Sequence, residues 1–286
     1  MQCMEIWGGN QSVDSAVAMA GLDAWVFSRP HRPGQPSDPA AIGGGDVHYV
    51  SSCASGRITR LLVADVSGHG ESVNSIALQL RTLMRRYVNY ISPAKFMEAM
   101  NERFTSLTEV GCFATAVVAT YFAPTRALSL CNAGHPVPLI YRVATASWSL
   151  LERPGESSKP HVDLPLGIVD RTAYASFQVT LDRGDLVLCY TDSLIEARNS
   201  QGRLLGQAGL LDLVRTISVA NPDRIIPALL AAIEAIRPGN LDLDDVTALL
   251  FTPNNQRSSF KDSLLAPIRV VGEWFGRLRS GAQASH

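Results

Sequence analysis

The chain has 286 residues, 46% of them hydrophobic, and a formal net charge of −1 at pH 7. That length and apolar content suffice for one sizeable hydrophobic core or two small ones. A nearly neutral chain has no overall field that would attract a polyanion, so we expect no nucleic-acid binding.

The cysteines and the start of the chain bear on its compartment. The five cysteines are widely spaced and contain no CxxC pair. This is typical of small buried side chains in a reducing compartment and not of disulfides or zinc ligands. The first residues do not combine a basic start with an apolar stretch, so we expect no signal peptide. The longest apolar helical stretch, near Ile225–Ile236, is too short to span a bilayer. These features predict a soluble cytoplasmic protein.

The first half of the chain predicts strands and then a pair of helices. Residues 1–24 show no clear period, and residues 29–41, with four prolines, predict a loop. Apolar residues recur at spacings of three and four over residues 72–90, which predicts a helix. A second helix is expected from Pro93, with Ser92 as its N-cap. The strands expected in this half are residues 24–28, 47–50 and 58–64.

The second half predicts strands, then two helices and a last strand. Four short apolar runs within residues 112–151 predict an antiparallel meander. A turn at residues 182–185 joins two further strands. Strands and helices come in blocks and not in βαβ alternation, so the predicted fold class is α+β with antiparallel sheets. The other elements are expected at residues 176–181, 186–190, 208–219, 222–236 and 246–251.

Four acidic stretches share one design, in which a carboxylate lies at the end of a strand or in the turn beside it. They are Gly44-Gly45-Asp46, Asp65 shortly before Gly68-His69-Gly70, Asp192 after an apolar strand, and residues 242–245 before the last strand. Carboxylate oxygens are ligands that Mg²⁺ and Mn²⁺ prefer. Two such cations about 3.5–4 Å apart can activate a water molecule for attack on phosphorus. The pattern therefore indicates a binuclear metal site for phosphate chemistry.

Several of these residues also allow plainer interpretations. The Gly-Gly-Asp at residues 44–46 suits an ordinary turn, and it also begins a diguanylate cyclase signature whose following acidic–aromatic pair is absent here. His69 can act as a general acid, since an imidazole has a suitable pKa, or it can orient the turn. Glu196 and Arg198 suit a local ion pair. Asp242 is expected to be solvated.

Seven short motifs follow one another over residues 40–251. They are Gly44-Gly45-Asp46, Asp65-Val66-Ser67-Gly68-His69-Gly70, Phe113-Ala114-Thr115-Ala116, Asn132-Ala133-Gly134-His135-Pro136, Pro165-Leu166-Gly167-Ile168, Gly184-Asp185 to Asn199, and Asp244-Asp245-Val246-Thr247. Each motif is weak alone, but their order over most of the chain is specific. In these motifs the chain resembles the metal-dependent Ser/Thr protein phosphatases of type 2C, in the bacterial SpoIIE/RsbU-like branch.

The resemblance implies both a fold and a set of ligands. The fold is a sandwich of two antiparallel β-sheets flanked by helices, with two Mn²⁺ or Mg²⁺ ions at one end. Asp46 and Asp65 match the bridging and flanking ligands of the family. The full set implied by position is Asp46, Asp65, the backbone carbonyl of Val66, Asp192 and Asp244, with Asp245 as the adjacent alternative.

Two departures from the family pattern bear on the site. Ser193 follows Asp192 where the family usually has glycine, and a positive φ at that position would cost serine about 1 kcal/mol. No arginine occupies a recognisable phosphate-gripping position near the N-terminus. The metals would therefore have to bind the phosphate themselves.

The resemblance also implies a reaction and its partners. The substrate would be a small protein phosphorylated on serine or threonine, often an anti-sigma-factor antagonist in a partner-switching pathway. Residues 72–107 form the helices that the family often uses for dimerisation or activator docking. Two rival interpretations stay open: a regulatory module of this fold that has lost catalysis, and a hydrolase of a small phosphorylated metabolite. The complete set of aspartates counts against the first.

The chain is expected to divide into a catalytic domain, residues 1–253, and an amphipathic tail, residues 254–286. In the tail, apolar residues from Phe260 to Leu278 recur at spacings of three and four, and arginines lie on the other side. Such a face can pack on the sandwich itself, in a groove of a partner or on an anionic membrane surface. The sequence leaves these three open.

Overall fold

The structure is a computed structural model that describes residues 3–31, 43–53, 56–67, 71–107, 111–153 and 164–256. No helix within these segments is long and apolar enough to cross a membrane. The strands are β1 (Cys3–Gly9), β2 (Val13–Met19), β3 (Leu22–Arg29), β4 (Asp46–Cys53), β5 (Ile58–Val66), β6 (Ala114–Phe122), β7 (Ala127–Ala133), β8 (Leu139–Arg142), β9 (Ser147–Leu150), β10 (Ser176–Thr180), β11 (Leu186–Tyr190) and β12 (Val246–Pro253). The helices are α1 (Glu71–Tyr87), α2 (Pro93–Leu107), α3 (Ser193–Glu196), α4 (Gly206–Arg215) and α5 (Ile225–Ile236).

In the described segments the strands form two six-stranded sheets whose neighbours pair antiparallel. The first sheet has the order β1-β4-β5-β6-β7-β10, and the second has the order β2-β3-β12-β11-β8-β9. Successive residues of a strand point to opposite faces. Accordingly, Leu61 and Val63 of β5 lie in the core between the sheets, together with Leu249 of β12. The two sheets therefore pack face to face, which confirms the predicted sandwich.

Helices cover the outer faces of both sheets. Leu80 of α1 and Phe96 of α2 are fully buried against the outer face of the first sheet, in the same core as Leu62. On the other side, Leu210 of α4 and Leu229 of α5 pack on the second sheet. The apolar stripes of these helices thus bury the outer, apolar faces of the two sheets.

The first two strands were not predicted, because their sequences carry a weak strand signal. β2 is an edge strand that contains Asp14 and Ser15, so only a modest apolar alternation remains. β1 ends in Gly8 and Gly9 and is interrupted by a bulge between Glu5 and Trp7. Both strands depend on tertiary pairing, with β4 and β3 respectively, more than on local propensity.

The predicted meander over residues 112–151 is wrong. β6 and β7 pair in the first sheet, whereas β8 and β9 pair in the second, so the chain crosses between the sheets after Ala133. The chain returns to the first sheet before β10, and the turn at residues 182–185 then crosses again to the second sheet at β11. A strand such as β6 is buried on both faces. Its sequence therefore predicts a strand without indicating the sheet to which it belongs.

The predicted helices lie where expected, with shifted ends. α1 ends at Tyr87 and not at residue 90, and α4 spans Gly206–Arg215 instead of residues 208–219. α2 begins at Pro93 as predicted. A 3₁₀ turn, Pro222–Arg224, precedes α5. The tail helix expected beyond residue 256 lies outside the described residues and stays a prediction.

Candidate metal centre

Asp46 and Asp65 lie directly opposite each other on β4 and β5. Opposed side chains of an antiparallel pair point to the same face with Cβ atoms about 4.5–5.5 Å apart, and like charges in that position destabilise the sheet. The same face of β4 and β5 carries Val50 and Val63 into the core between the sheets. The two carboxylates therefore lie at one end of the interior of the sandwich.

Electrostatics connects this pair to the other acidic stretches. Burial raises the pKa of Asp46 well above its ordinary value, and the charges of Asp65 and Asp245 raise it further. The pKa of Asp65 rises to about 7, first through burial and then through Asp192, Asp244 and Asp245. Each of these acidic residues is thus close enough to another of them for their charges to interact.

Asp192 belongs to the same field. Burial raises the pKa of Asp192 to about 6, and the charges of Glu196 and Asp244 raise it further. Glu196 also raises the pKa of Asp65, so it lies near the acidic cluster. The sequence had instead predicted a local ion pair between Glu196 and Arg198. The guanidinium of Arg198 instead donates to the Gly202 carbonyl at 2.8 Å. The helical spacing between residues 192 and 196 would have indicated that these two carboxylates share a face.

The serine after Asp192 is not strained. Asp192 has φ −64° and ψ −23°, and Ser193 opens the short helix α3. The Asp192 carbonyl accepts the N–H groups of Ile195 and Glu196, both at 2.8 Å. Because Ser193 is absent from the residues with positive φ, it adopts a backbone conformation that any residue accepts, and the expected cost of losing glycine does not arise.

Asp245 holds the backbone that carries Asp46. One of its carboxylate oxygens accepts the N–H groups of Gly45 and Asp46, the latter at 3.2 Å, and the other accepts the N–H of His31. A Cβ at Gly44 would lie 2.1 Å from the Asp245 carboxylate, so only glycine fits there. Asp245 is therefore engaged by backbone donors through both oxygens.

Asp244 differs from its neighbour. It is exposed, and its Oδ1 atom accepts the Asp245 N–H at 2.8 Å. Asp242 is also exposed, as predicted, and lies 3.4 Å from Arg29. The charges of Asp244 and Asp245 both raise the pKa of Asp65, and both oxygens of Asp245 accept backbone N–H groups.

The backbone around Val66 is closely packed against the loop of Asp46. The Val66 N–H donates to the Gly45 carbonyl at 3.2 Å, and a Cβ at Gly45 would lie 2.9 Å from the Val66 carbonyl oxygen. Glycine is therefore required for this close approach. Residues 68–70 lie outside the described residues, so the role of His69 stays a prediction.

His135 makes structural contacts beside the cluster. Its Nδ1 atom lies 2.8 Å from the hydroxyl of Thr115, which is opposite Asp65 on β6. Asn132 accepts the His135 N–H at 2.8 Å and donates to its carbonyl at 2.9 Å. Burial lowers the pKa of His135 to about 3, so the ring is neutral at physiological pH.

Two threonines that were not predicted from the sequence, Thr191 and Thr247, lie beside Asp46. The Thr191 hydroxyl donates to Asp46 Oδ2 at 2.8 Å, and the side chain of Thr247 lies close enough to lower the pKa of the same carboxylate. Both threonines belong to the predicted motifs, but a hydroxyl gives no charge signal in a sequence. Their contact with Asp46 depends on the pairing of β11 with β12 and on the closure of the sandwich.

The donor set is chemically suited to a hard cation. Every acidic residue in the cluster offers oxygen atoms, which Mg²⁺ and Mn²⁺ prefer over softer ligands. In the part of the chain that is described, no three His, Cys, Asp or Glu side chains form a ready-made coordination shell. The carboxylates are near enough to raise the pKa values of Asp46 and Asp65, and a cation would relieve that repulsion.

Comparison with known proteins identifies a family for the chain. Residues 55–254 match the family model described as Stage II sporulation protein E (SpoIIE). The phosphoserine phosphatase RsbP of Bacillus subtilis is 25% identical over 141 residues, which are 48% of this chain and 33% of RsbP. The chain thus spans about a third of that relative.

Solved structures show the same architecture. The RsbU and RsbW domains of a Mycobacterium tuberculosis protein align with a TM-score of 0.66 and 29% identity, over 87% of this chain and 63% of that one. The PP2C phosphatase domain of SpoIIE from Bacillus subtilis, solved with a fragment of its regulatory domain, aligns with a TM-score of 0.64 and 14% identity, over 85% of this chain and 65% of that one.

Proposed function

This chain belongs to the SpoIIE family of PP2C-type phosphatases, and we propose that it is a metal-dependent hydrolase of phosphoserine and phosphothreonine in proteins. One observation supports this most strongly. The opposed carboxylates of Asp46 and Asp65 share one electrostatic field with Asp192 and Asp244. Buried carboxylates that repel one another are costly to a fold, and such groups are concentrated at functional sites.

The proposed metal-holding groups follow from the contacts. Asp46 and Asp65 offer carboxylates from one sheet, Asp192 and Asp244 offer carboxylates beside the other, and Val66 offers its carbonyl. Asp244 is preferred over Asp245, because the backbone donors already use both oxygens of Asp245. Two Mn²⁺ or Mg²⁺ ions, when bound, would supply the charge that lowers the pKa of a water molecule and neutralises phosphate oxygens.

The rest of the site positions these groups. Asp245 fixes the backbone at Gly45 and Asp46, and the Val66 N–H ties β5 to the same loop. His69 is the candidate donor of a proton to the departing serine or threonine oxygen, with orientation of its turn as the other role. A change in the acid limb of the pH–rate profile of His69→Ala supports the first role, and loss of folding supports the second.

The substrate class rests on the family. We propose a small phosphorylated protein, such as an anti-sigma-factor antagonist in a partner-switching pathway, met in the cytoplasm. The surface of α1 and α2 is the proposed place for a second copy or an activator. α1 begins at Glu71, six positions after Asp65, so a partner on α1 can act on the centre through that short connection.

Hydrolysis assays test the proposal. The purified chain is expected to hydrolyse p-nitrophenyl phosphate and a phosphoserine peptide when Mn²⁺ is added, and excess chelator should abolish both activities. Asp65→Asn should lose activity at least about tenfold, because it removes a charged ligand. Asp242→Asn is the matched control and should retain activity. Undiminished hydrolysis in chelator would rule out the metal mechanism, and an inactive wild-type chain would favour a regulatory module.

A further inference from the structure

Asp46 is held from the opposite sheet. Asp46 begins β4 in the first sheet, whereas Thr191 directly follows β11 and Thr247 lies in β12, both in the second sheet. The Thr191 hydroxyl lies 2.8 Å from Asp46 Oδ2. Asp46 is only 3% exposed and Thr191 and Thr247 are fully buried. This hydrogen bond therefore spans the interior of the sandwich with no competition from bulk water.

The direction of the Thr191 hydrogen bond is fixed by its neighbours. The Thr191 oxygen accepts the backbone N–H of Thr247 at 3.0 Å, so this bond uses a lone pair of the hydroxyl. A hydroxyl has one proton to donate. The carboxylate of Asp46, at 2.8 Å, is a nearer and stronger acceptor than the Thr247 carbonyl at 3.4 Å. The proton of Thr191 therefore points at Asp46.

Thr247 supports the same carboxylate. Its side chain lies close enough to lower the pKa of Asp46, and its hydroxyl lies 2.9 Å from the hydroxyl of Ser28 on β3. The backbones of Thr191 and Thr247 are joined as well, through the Thr191 N–H and the Thr247 carbonyl at 3.0 Å. The two threonines form one rigid unit, because neither can move without breaking a hydrogen bond of the other.

We propose that Thr191 and Thr247 are positioning residues that fix the orientation of the Asp46 carboxylate for metal binding. This inference rests on the proposed function. Asp65, directly opposite, repels Asp46 and would turn its carboxylate away in the free protein. The hydrogen bond from Thr191, whose hydroxyl is itself held by the Thr247 N–H, opposes that rotation. Groups that orient a ligand in this way typically contribute about 10–100-fold to metal affinity.

The test uses the full chain and three variants. Thr191→Val removes the hydroxyl at nearly constant volume, and Thr191→Ser keeps it. Thr252→Val is the matched control: Thr252 lies on the same strand as Thr247 and is 7% exposed, but its hydroxyl donates to the backbone carbonyl of Asp185 at 2.7 Å. For each chain, Mn²⁺ affinity is measured by calorimetric titration, melting temperature in chelator, and kcat and KM with a phosphoserine peptide.

Thr191→Val is expected to bind Mn²⁺ at least about tenfold more weakly than wild type. Thr191→Ser should keep affinity close to wild type, and Thr252→Val should lose melting temperature but not affinity. A folded Thr191→Val with wild-type Mn²⁺ affinity would overturn the inference. If Thr191→Val does not fold, Thr191→Ala, which also removes the hydroxyl that donates to Asp46, is judged by the same criterion. A wild-type chain that binds no Mn²⁺ would overturn the proposed function together with this inference.

Discussion

Asp46 and Asp65 face each other across neighbouring antiparallel strands, in a position that sheets normally give to residues of opposite charge or of apolar character. Burial raises the pKa values of both carboxylates, and the charge of Asp65 adds to the rise at Asp46, whereas Asp192 and Asp244 add to the rise at Asp65. The sheet therefore keeps an unfavourable pair at the end of its interior. The opposed carboxylates therefore lower the stability of the metal-free protein.

Asp65→Asn is expected to stabilise the metal-free protein at pH 8. The folded pKa of Asp65, about 7, lies above the ordinary value of 3.8. The folded protein therefore tolerates the protonated carboxyl at low pH, and ionisation of Asp65 destabilises the fold increasingly as the pH rises from 3.8 through about 7. Each kcal/mol of relieved repulsion should raise the melting temperature by about 2–4 °C. Melting curves in chelator at pH 8 and pH 5 measure the effect, which should shrink at the lower pH.

Asp185→Asn is the control for that experiment, because Asp185 is a buried carboxylate with partners. Its side chain is 1% exposed, lies 2.8 Å from Arg142 and accepts the N–H groups of Val143 and Asp182 at 2.9 Å. Loss of this charge leaves buried donors poorly paired and should lower the melting temperature. Equal destabilisation by Asp65→Asn would contradict the repulsion argument.

Asp244 and Asp245 should separate metal binding from folding. Asp244→Asn is expected to weaken Mn²⁺ affinity at least about tenfold with little change in the melting temperature of the metal-free protein. Asp245→Asn should lower that melting temperature, because its carboxylate accepts the N–H groups of Gly45, Asp46 and His31. Calorimetric titration and melting curves distinguish the two. A strong loss of affinity in Asp245→Asn with unchanged stability would assign the ligand to Asp245 instead.

Helix α1 is expected to be coupled to the metal centre. Leu83 is 4% exposed in the core beneath the helices. Leu83→Ala should cost about 2–5 kcal/mol of stability and should also lower Mn²⁺ affinity, since α1 follows closely after Asp65. Glu5→Gln should disturb α1 less than Leu83→Ala does. Glu5 on β1 accepts hydrogen bonds from both Arg81 and Arg85 of α1, and the substitution removes the charge that attracts them. If both variants lost only stability, α1 would be a part of the core without influence on the centre.

The tail should be removable after Gln256 but not after Pro253. Asn254 donates to the Met19 carbonyl at 2.9 Å and to Asp23 at 2.6 Å, and the Gln256 carbonyl accepts the Gly21 N–H at 2.8 Å. These contacts tie the chain after β12 to the turn between β2 and β3. A chain that ends at Gln256 should keep its melting temperature and its activity on p-nitrophenyl phosphate. It should lose either self-association or discrimination among protein substrates.

The shorter form tests the boundary itself. A chain that ends at Pro253, the predicted end of the catalytic domain, lacks the contacts of Asn254 and Gln256 and should melt at a lower temperature. An insoluble or inactive chain ending at Gln256 would show that the tail belongs to the catalytic core.

The sequence predicted site residues where a chemically distinctive side chain occupies a recognisable position in an element. A carboxylate at the end of an apolar strand, as at Asp65, is visible as a pattern, and the acidic cluster was predicted for that reason. The contacts that hold Asp46 were not, because Thr191 and Thr247 act only once β11 and β12 close over β4. Burial of β6 on both faces likewise concealed which sheet each strand joins, and only the tertiary pairing resolves this.

The number of ions that the chain binds tests the account most directly. Calorimetric titration of the metal-free wild-type chain with Mn²⁺ should give two ions per chain, and Asp46→Asn, as a folded protein, should bind fewer or bind them at least about tenfold more weakly. A wild-type chain that binds no Mn²⁺, or an Asp46→Asn chain that binds two ions with wild-type affinity, would contradict the proposal that the opposed aspartates form a binuclear centre.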